Sequence, residues 1–191
     1  IAPAHQSALL ARGAGRIKGL LDSLLDYSRA SLGAGMVLQR ESVDLATVCE
    51  EELELLQAAF PHSHIEYESH ARADGAFDVL RVREASGNLV SNAIKHGQDG
   101  VPVKVKLEGS PASVFIIVEN AGELPPGDIE RLFEPLREGK SHSGRGDRTH
   151  LGLGLFIVRQ IARAHGGDIK GESFEGLVRF TVEIPKNEAP A

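Results

Sequence analysis

The stretch PVKVKLEGSPASVFIIVEN, residues 102–120, decides the fold. Its two ends, PVKVKLEG and SVFIIVEN, read as strands, and only a short loop centred on Ser110 and Pro111 separates them. So short a connection suits antiparallel neighbours, whereas parallel neighbours need a crossover of about a dozen residues or more. Working outward, DVLRVREASGNLVSNAIKHG (78–97) has helical periodicity, with Leu80, Val82, Leu89, Val90, Ala93 and Ile94 on its apolar side. HIEYES (64–69) alternates like a strand, and VLQRESVDL (37–45) predicts a short strand entering a helix capped by Asp44 and running to about Phe60. Towards the C-terminus stand a short helix, DIERLF (128–133), a longer one, LGLFIVRQIARAHGG (153–167), and a hairpin turned at Glu175 and Gly176. Helices alternate with strand pairs, so the expected class is α+β: a mixed α/β sandwich, not a doubly wound parallel sheet.

Upstream, residues 4–32 carry a heptad-like stripe of Leu10, Ile17, Leu20, Leu21, Leu24 and Tyr27, which predicts one long helix seeking a second, from this chain or another copy. GAG at 33–35 is composed to end it. The 191 residues amount to one domain with an appendage at about 150 residues per domain. The longest aliphatic run, VFIIV, falls far below the ~18 residues of a membrane span, so this portion is expected to be soluble. A net charge of −6 argues against nucleic acid as the main partner. One cysteine, Cys49, allows no internal disulfide and fits a reducing compartment.

Four segments invite chemistry. On the helix 78–97, Asn88, Asn92, Lys95 and His96 share one side. They are either the wet face of an amphipathic helix or carboxamide oxygens and a nearby cation for a magnesium-bound polyphosphate. Gly152 and Gly154, in LGLGLFIV (151–158), let backbone N–H groups approach an anion at the positive end of a helix, though glycines there also serve tight packing. Before them, REGKSHSGRGDRTH (137–150) has the glycine-rich, cationic composition of a mobile loop or of a plain solvated one. VENAGELPP (118–126) puts Asn120 and Gly122 at a strand exit, where a flat heterocycle could meet them.

Together and in this order the segments resemble the ATP-binding domain of sensor histidine kinases, within the superfamily of DNA gyrase and the Hsp90 chaperones. NLVSNAIKHG (88–97) resembles the N box, VENAG the G1 box, LFEPL (132–136) the F box and HLGLGLFIV (150–158) the G2 box. Each is weak alone; the four in sequence are specific. RQIARAHGGDI (159–169) is typical of the kinases, and RIKGLLDSLLDYSR (16–29) is similar to the second helix of the dimerisation hairpin. The resemblance implies a Bergerat-type fold, a mixed, mostly antiparallel sheet on helices, preceded by one long helix. It implies hairpin residues 1–36, a catalytic domain 37–187 and a tail 188–191. It makes Asn92 a Mg²⁺ ligand with Asn88 beside the metal, and gives Lys95 and His96 contacts to phosphate and sugar. Asn120, Gly122, Phe133, Arg148, Gly152, Leu153 and Gly154 complete the nucleotide contacts.

The pattern has departures. Asn120 stands where the family usually has an aspartate that accepts from the adenine amino group; its amide oxygen still accepts, without charge assistance. The G1 box is a residue short, with Glu123 and Leu124 in place of a second glycine, His150 and Leu151 replace a small pair before Gly152, and Leu136 replaces an aromatic. None of the eight histidines is followed by the acidic residue of the family's phosphoacceptor, so the chain reads as a fragment that begins after the first hairpin helix. The expectation is a protein-histidine kinase that binds ATP and Mg²⁺ and transfers the γ-phosphate to a histidine outside this chain. Its expected partners are its own hairpin, a second copy and a response regulator, in the bacterial cytoplasm, without nucleic-acid contact and without membrane contact by this fragment, the parent protein being either membrane-anchored or soluble. The alternative is a degenerate domain acting as a docking and dimerisation module; a serine kinase of the anti-sigma type is disfavoured by the heptad helix.

Overall fold

The computed structural model describes residues 36–70, 72–124, 129–135 and 152–186. The helix expected over 4–32, the cationic loop and the C-terminal tail lie outside the described residues. In chain order come β1 (Glu41–Asp44), α1 (Leu45–Ala59), β2 (Ile65–Ser69), β3 (Asp74–Phe77), α2 (Val79–His96), β4 (Val103–Gly109) and β5 (Ser113–Ala121). A 3₁₀ turn (Ile129–Phe133), α3 (Gly154–Ala164), β6 (Asp168–Phe174) and β7 (Leu177–Pro185) follow. Five strands form one sheet in the order β2-β4-β5-β7-β6. Only β2 with β4 is parallel; the other three pairings are antiparallel. The sandwich expected from residues 102–120 is thus present, with Lys104 opposite Glu119 and Gly109 opposite Val114. Its loop is held by Ser110, whose Oγ accepts from the Ser113 N–H at 2.9 Å.

Strand alternation sends one set of side chains to the helices. Val103, Val105 and Leu107 of β4, Val114, Ile116 and Val118 of β5, and Val178, Phe180, Val182 and Ile184 of β7 are all buried. Against them α2 lays Val82, Ala85, Leu89, Val90 and Ala93, and α3 lays Ile157, Val158, Ile161 and Ala162. Each such Val, Leu, Ile or Phe contributes about 1.5–3 kcal/mol through burial. Asp44 caps α1, its carboxylate accepting from the Ala46 N–H at 3.0 Å, and the cap at Phe60 ends the helix where expected. Positive φ at both Glu175 (49°) and Gly176 (76°) gives the β6–β7 hairpin a tight primed turn.

The structure adds local detail at three places, and at Leu80 it corrects the expected apolar face. Leu80 is 76% exposed: two residues from the fully buried Val82, it sits about 200° around the helix from it. The short helix expected at DIERLF is present as a 3₁₀ helix over Ile129–Phe133. β3, unanticipated, pairs antiparallel with β1 as a separate two-stranded sheet, Glu41 opposite Phe77 and Asp44 opposite Asp74. The Phe77 ring lies over Gly75, where an added Cβ would meet it at 2.5 Å, so glycine is what lets this short strand close.

Candidate nucleotide site

Helix α2 carries the candidate polar row. Asp78 caps its start, Oδ1 accepting from the Arg81 N–H at 3.1 Å, and its core stripe faces the sheet. At about 100° per residue, positions 88, 92, 95 and 96 fall within a sector of about 100°. Asn88 and Asn92 are half-buried, while Lys95 and His96 are exposed in the last turn, where cations complement the negative helix end.

The start of α3 lies against this row. A Cβ built on Gly154 would stand 3.5 Å from Asn88 Oδ1, so the glycine brings the first turn of α3 alongside the carboxamide. Gly152 has φ 64°, a left-handed conformation suited to glycine, and Leu153, 4% exposed, anchors the turn in the core. No side chain caps α3 at Leu153. The positive end of the helix therefore meets a half-buried amide oxygen where Gly154 presents no side chain, an arrangement suited to anions.

A second cluster forms where β5 ends. Asn120 is 4% exposed, and its Nδ2 donates to the Ala121 carbonyl at 3.1 Å. With the amide N–H so used, Oδ1 is the atom suited to accept from a ligand amino group. Gly97, the C-cap of α2, packs on it: a Cβ there would come within 3.4 Å of Asn120 Cβ and 2.6 Å of the Ala93 carbonyl. Gly122, at φ 155°, lies 3.4 Å by the same measure from both Asn120 Nδ2 and the His96 carbonyl. Its N–H donates to the Gly176 carbonyl at 2.8 Å, so the β6–β7 hairpin holds the strand exit. The contact of Gly97 with Asn120 joins segments remote in the chain.

Helix α2 thus links two groups, Asn88 with Gly152, Leu153 and Gly154, and His96 with Asn120 and Gly122. Phe133 is placed differently. It is 3% exposed, packs edge-on against Phe180 at 6.2 Å, and lies under the Arg159 guanidinium at 5.1 Å. Arg159 also pairs with Glu130 at 2.8 Å and Asp168 at 3.2 Å, so it ties the 3₁₀ turn to α3 and β6. Arg148 lies outside the described residues. Among the described residues no group of three His, Cys, Asp or Glu could hold a metal ion. The donors offered are amide oxygens, which suit a hard cation that keeps waters and takes its other ligands from phosphates.

Residues 77–188 match the family model of the histidine kinase-, DNA gyrase B-, and HSP90-like ATPases. The bacteriophytochrome of Pseudomonas aeruginosa is 29% identical over 91% of this chain and 24% of its own length. The sensor protein CutS of Streptomyces coelicolor is 32% identical over 86% of this chain and 40% of its own. The chain therefore spans well under half the length of these curated relatives. The catalytic domain of histidine kinase ThkA, in a nucleotide-free form, superposes with a TM-score of 0.68 at 27% identity, covering 78% of this chain and 97% of that domain. The histidine kinase AdeS of Acinetobacter baumannii shares the fold at a TM-score of 0.74 and 21% identity, over 98% of this chain and 87% of that one. The family match covers the polar row of α2, the β5 exit and the glycine start of α3, and the chain belongs to the histidine kinase-, DNA gyrase B-, and HSP90-like ATPase family.

Proposed function

We propose that this chain is the ATP-binding catalytic region of a sensor histidine kinase. Residues 37–187 form the catalytic domain and residues 1–36 the second helix of a dimerisation hairpin, followed by a short tail. The observation that carries the reading is Asn88 Oδ1 set against Gly154 at the uncapped start of α3. That pairing offers an amide oxygen and a helix N-terminus to one polyphosphate. Relatives named as a sensor protein and as a signal transduction histidine-protein kinase support the same reading, and a solved complex of ThkA with the response regulator TrrA, at a TM-score of 0.71 and 24% identity, supports a receiver domain as the eventual phosphate acceptor.

In this reading α2 presents Asn88 and Asn92 to a magnesium ion that arrives with ATP. When bound, that ion offsets the charge of the phosphate oxygens. Lys95 adds positive charge at the phosphates, His96 lies near the sugar and phosphates, and Arg148 adds another cation. Asn120 Oδ1 accepts from the adenine amino group, and Gly122 leaves room for the base. Gly152, Leu153 and Gly154 bring backbone N–H groups to the phosphates, while Phe133 acts from the core by fixing the 3₁₀ turn. Phosphoryl transfer asks mainly for positioning and charge stabilisation, which explains a site made of amides, cations and backbone donors without a nucleophile of its own. The γ-phosphate passes to an imidazole nitrogen of a hairpin histidine outside this chain.

The test is calorimetric titration of the protein and of Asn92→Ala with a non-hydrolysable ATP analogue, with and without Mg²⁺. The wild type should gain affinity from Mg²⁺, and the variant should lose that gain while keeping its melting temperature, since substitutions on a half-exposed helix face usually cost little. Equal affinities in the two proteins would remove Asn92 from the site. Transfer of label from ATP to a supplied hairpin containing its acceptor histidine, with none on the chain alone, then tests the kinase step. Nothing observed favours a docking module without nucleotide.

A further inference from the structure

His165 is a buried titratable side chain far from the phosphate end of the site, and both of its ring nitrogens are engaged. It is 1% exposed, at the C-terminal cap of α3. Nδ1 lies 2.8 Å from the Ile161 carbonyl, and Nε2 lies 3.2 Å from the backbone N–H of Asp78. A carbonyl only accepts and a backbone N–H only donates, so the ring carries its proton on Nδ1 and accepts at Nε2. Asp78 is the N-cap of α2. The imidazole therefore bonds the end of one site helix to the beginning of the other.

The two helices meet again at Asn88 and Gly154. From Asp78 to Asn88 is ten residues, about 15 Å of helix, and from Gly154 to His165 is eleven, about 16 Å. The matched spans define an antiparallel pair fixed at both ends. The incoming chain is tied to the same far end: the Gln39 N–H donates to Asp78 Oδ2 at 2.8 Å, and Arg40 Nη2 donates to the Ala164 carbonyl at 3.3 Å.

We propose that His165 and Asp78 are positioning residues for the nucleotide site, their bond fixing the angle between α2 and α3 and so the placement of Gly154 over Asn88. The inference rests on reading that near end as a nucleotide site. Losing the far bond frees the pair to pivot, which misplaces the α3 start without removing any ligand contact. The charged groups bearing on the ring are Arg40 from the incoming segment, which disfavours an imidazolium, and Asp78 from α2, which favours one. Burial outweighs both in keeping the ring neutral. Protonating Nε2 would set two donors face to face.

The experiment measures the affinity of the full chain for a fluorescent ATP analogue with Mg²⁺, well below each protein's melting temperature. His165→Leu removes both ring bonds, and His165→Gln keeps an acceptor in place of Nε2. His165→Leu should bind about tenfold more weakly, in the range found for residues that act on a site without touching its ligand, and His165→Gln should stay close to wild type. Unchanged affinity in folded His165→Leu, or an equal loss in both variants, would overturn the proposal. If His165→Leu does not fold, His165→Asn, whose shorter side chain withdraws the acceptor from the Asp78 N–H, takes its place, and unchanged affinity there overturns the proposal. A wild type that fails to bind the analogue overturns the nucleotide-site reading and this inference with it, an outcome distinct from wild-type binding that His165 does not affect.

Discussion

Two glycines near opposite ends of α3 predict opposite outcomes for one substitution. At Gly167 an added Cβ would fall 1.8 Å from the Glu183 carbonyl oxygen, a backbone atom of β7 that cannot move without its sheet. Gly167→Ala should therefore cost about 3 kcal/mol, read as a lower urea midpoint at unchanged slope. At Gly154 the nearest atoms, all of Asn88, lie between 3.5 and 3.9 Å, an ordinary contact. Because alanine is the better helix former by about 0.5–1 kcal/mol, Gly154→Ala should keep or raise the melting temperature. Its methyl group nonetheless stands between the first turn of α3 and Asn88, so affinity for the ATP analogue should fall. An alanine variant that is both stable and fully competent would place the phosphates elsewhere. Asn88 and Asn92 were legible because residues four apart share a helix face whatever the fold. The burial of Phe133 was not, since an aromatic beside a ligand and one in the core are the same letter. Nor was the packing of Gly97 on Asn120, which depends on how a helix end meets a strand exit.

Among the elements, α2 and α3 make stability pH-dependent through the residue that joins them. Burial, the largest influence, lowers the His165 pKa from its ordinary 6.5, so the folded state binds a proton there less readily than the unfolded chain. The sign follows: the contribution is fully present above about pH 6.5 and is lost as pH falls through the depressed folded value, with a slope of at most about 1.4 kcal/mol per unit. Thermal unfolding from pH 7.5 to 5 should show the wild type losing more stability in acid than His165→Gln; parallel curves would mean the imidazole stays accessible to protons. The long elements were readable from periodicity because their apolar residues recur at the period of the structure they form. β3 was hidden because Asp74 and Gly75 have the composition of a turn, and only pairing with β1 makes them a strand. Leu80 misled for a related reason: a lone leucine in the first turn says little until its angle to Val82 is worked out.

At the scale of the whole molecule, the candidate site exists only while separate segments are assembled. Asn88 comes from α2, Asn120 from β5, and Gly154 from α3, and none holds its geometry without the sheet beneath. Cys49, on α1 and not among the candidate site residues, offers a probe of that assembly. It is the chain's only cysteine, 2% exposed on α1, and burial pushes its thiol up to about 11. Access and the shortage of thiolate both protect it, so a thiol reagent should label it only through opening of the fold. If α1 opens together with the site, a ligand that binds only the closed form reduces the open population by the factor 1 + [L]/Kd. With the Mg²⁺-bound ATP analogue at a hundred times its Kd, labelling should slow about a hundredfold, equivalent to about 2.7 kcal/mol, provided reclosing is faster than labelling. Mass spectrometry of the alkylated protein over time, at several analogue concentrations, measures this directly. A rate indifferent to ligand would show that α1 opens as a unit of its own while α2, β5 and α3 stay closed around the nucleotide. A rate that falls in proportion to added ligand would show that the fold and the site form one cooperative unit.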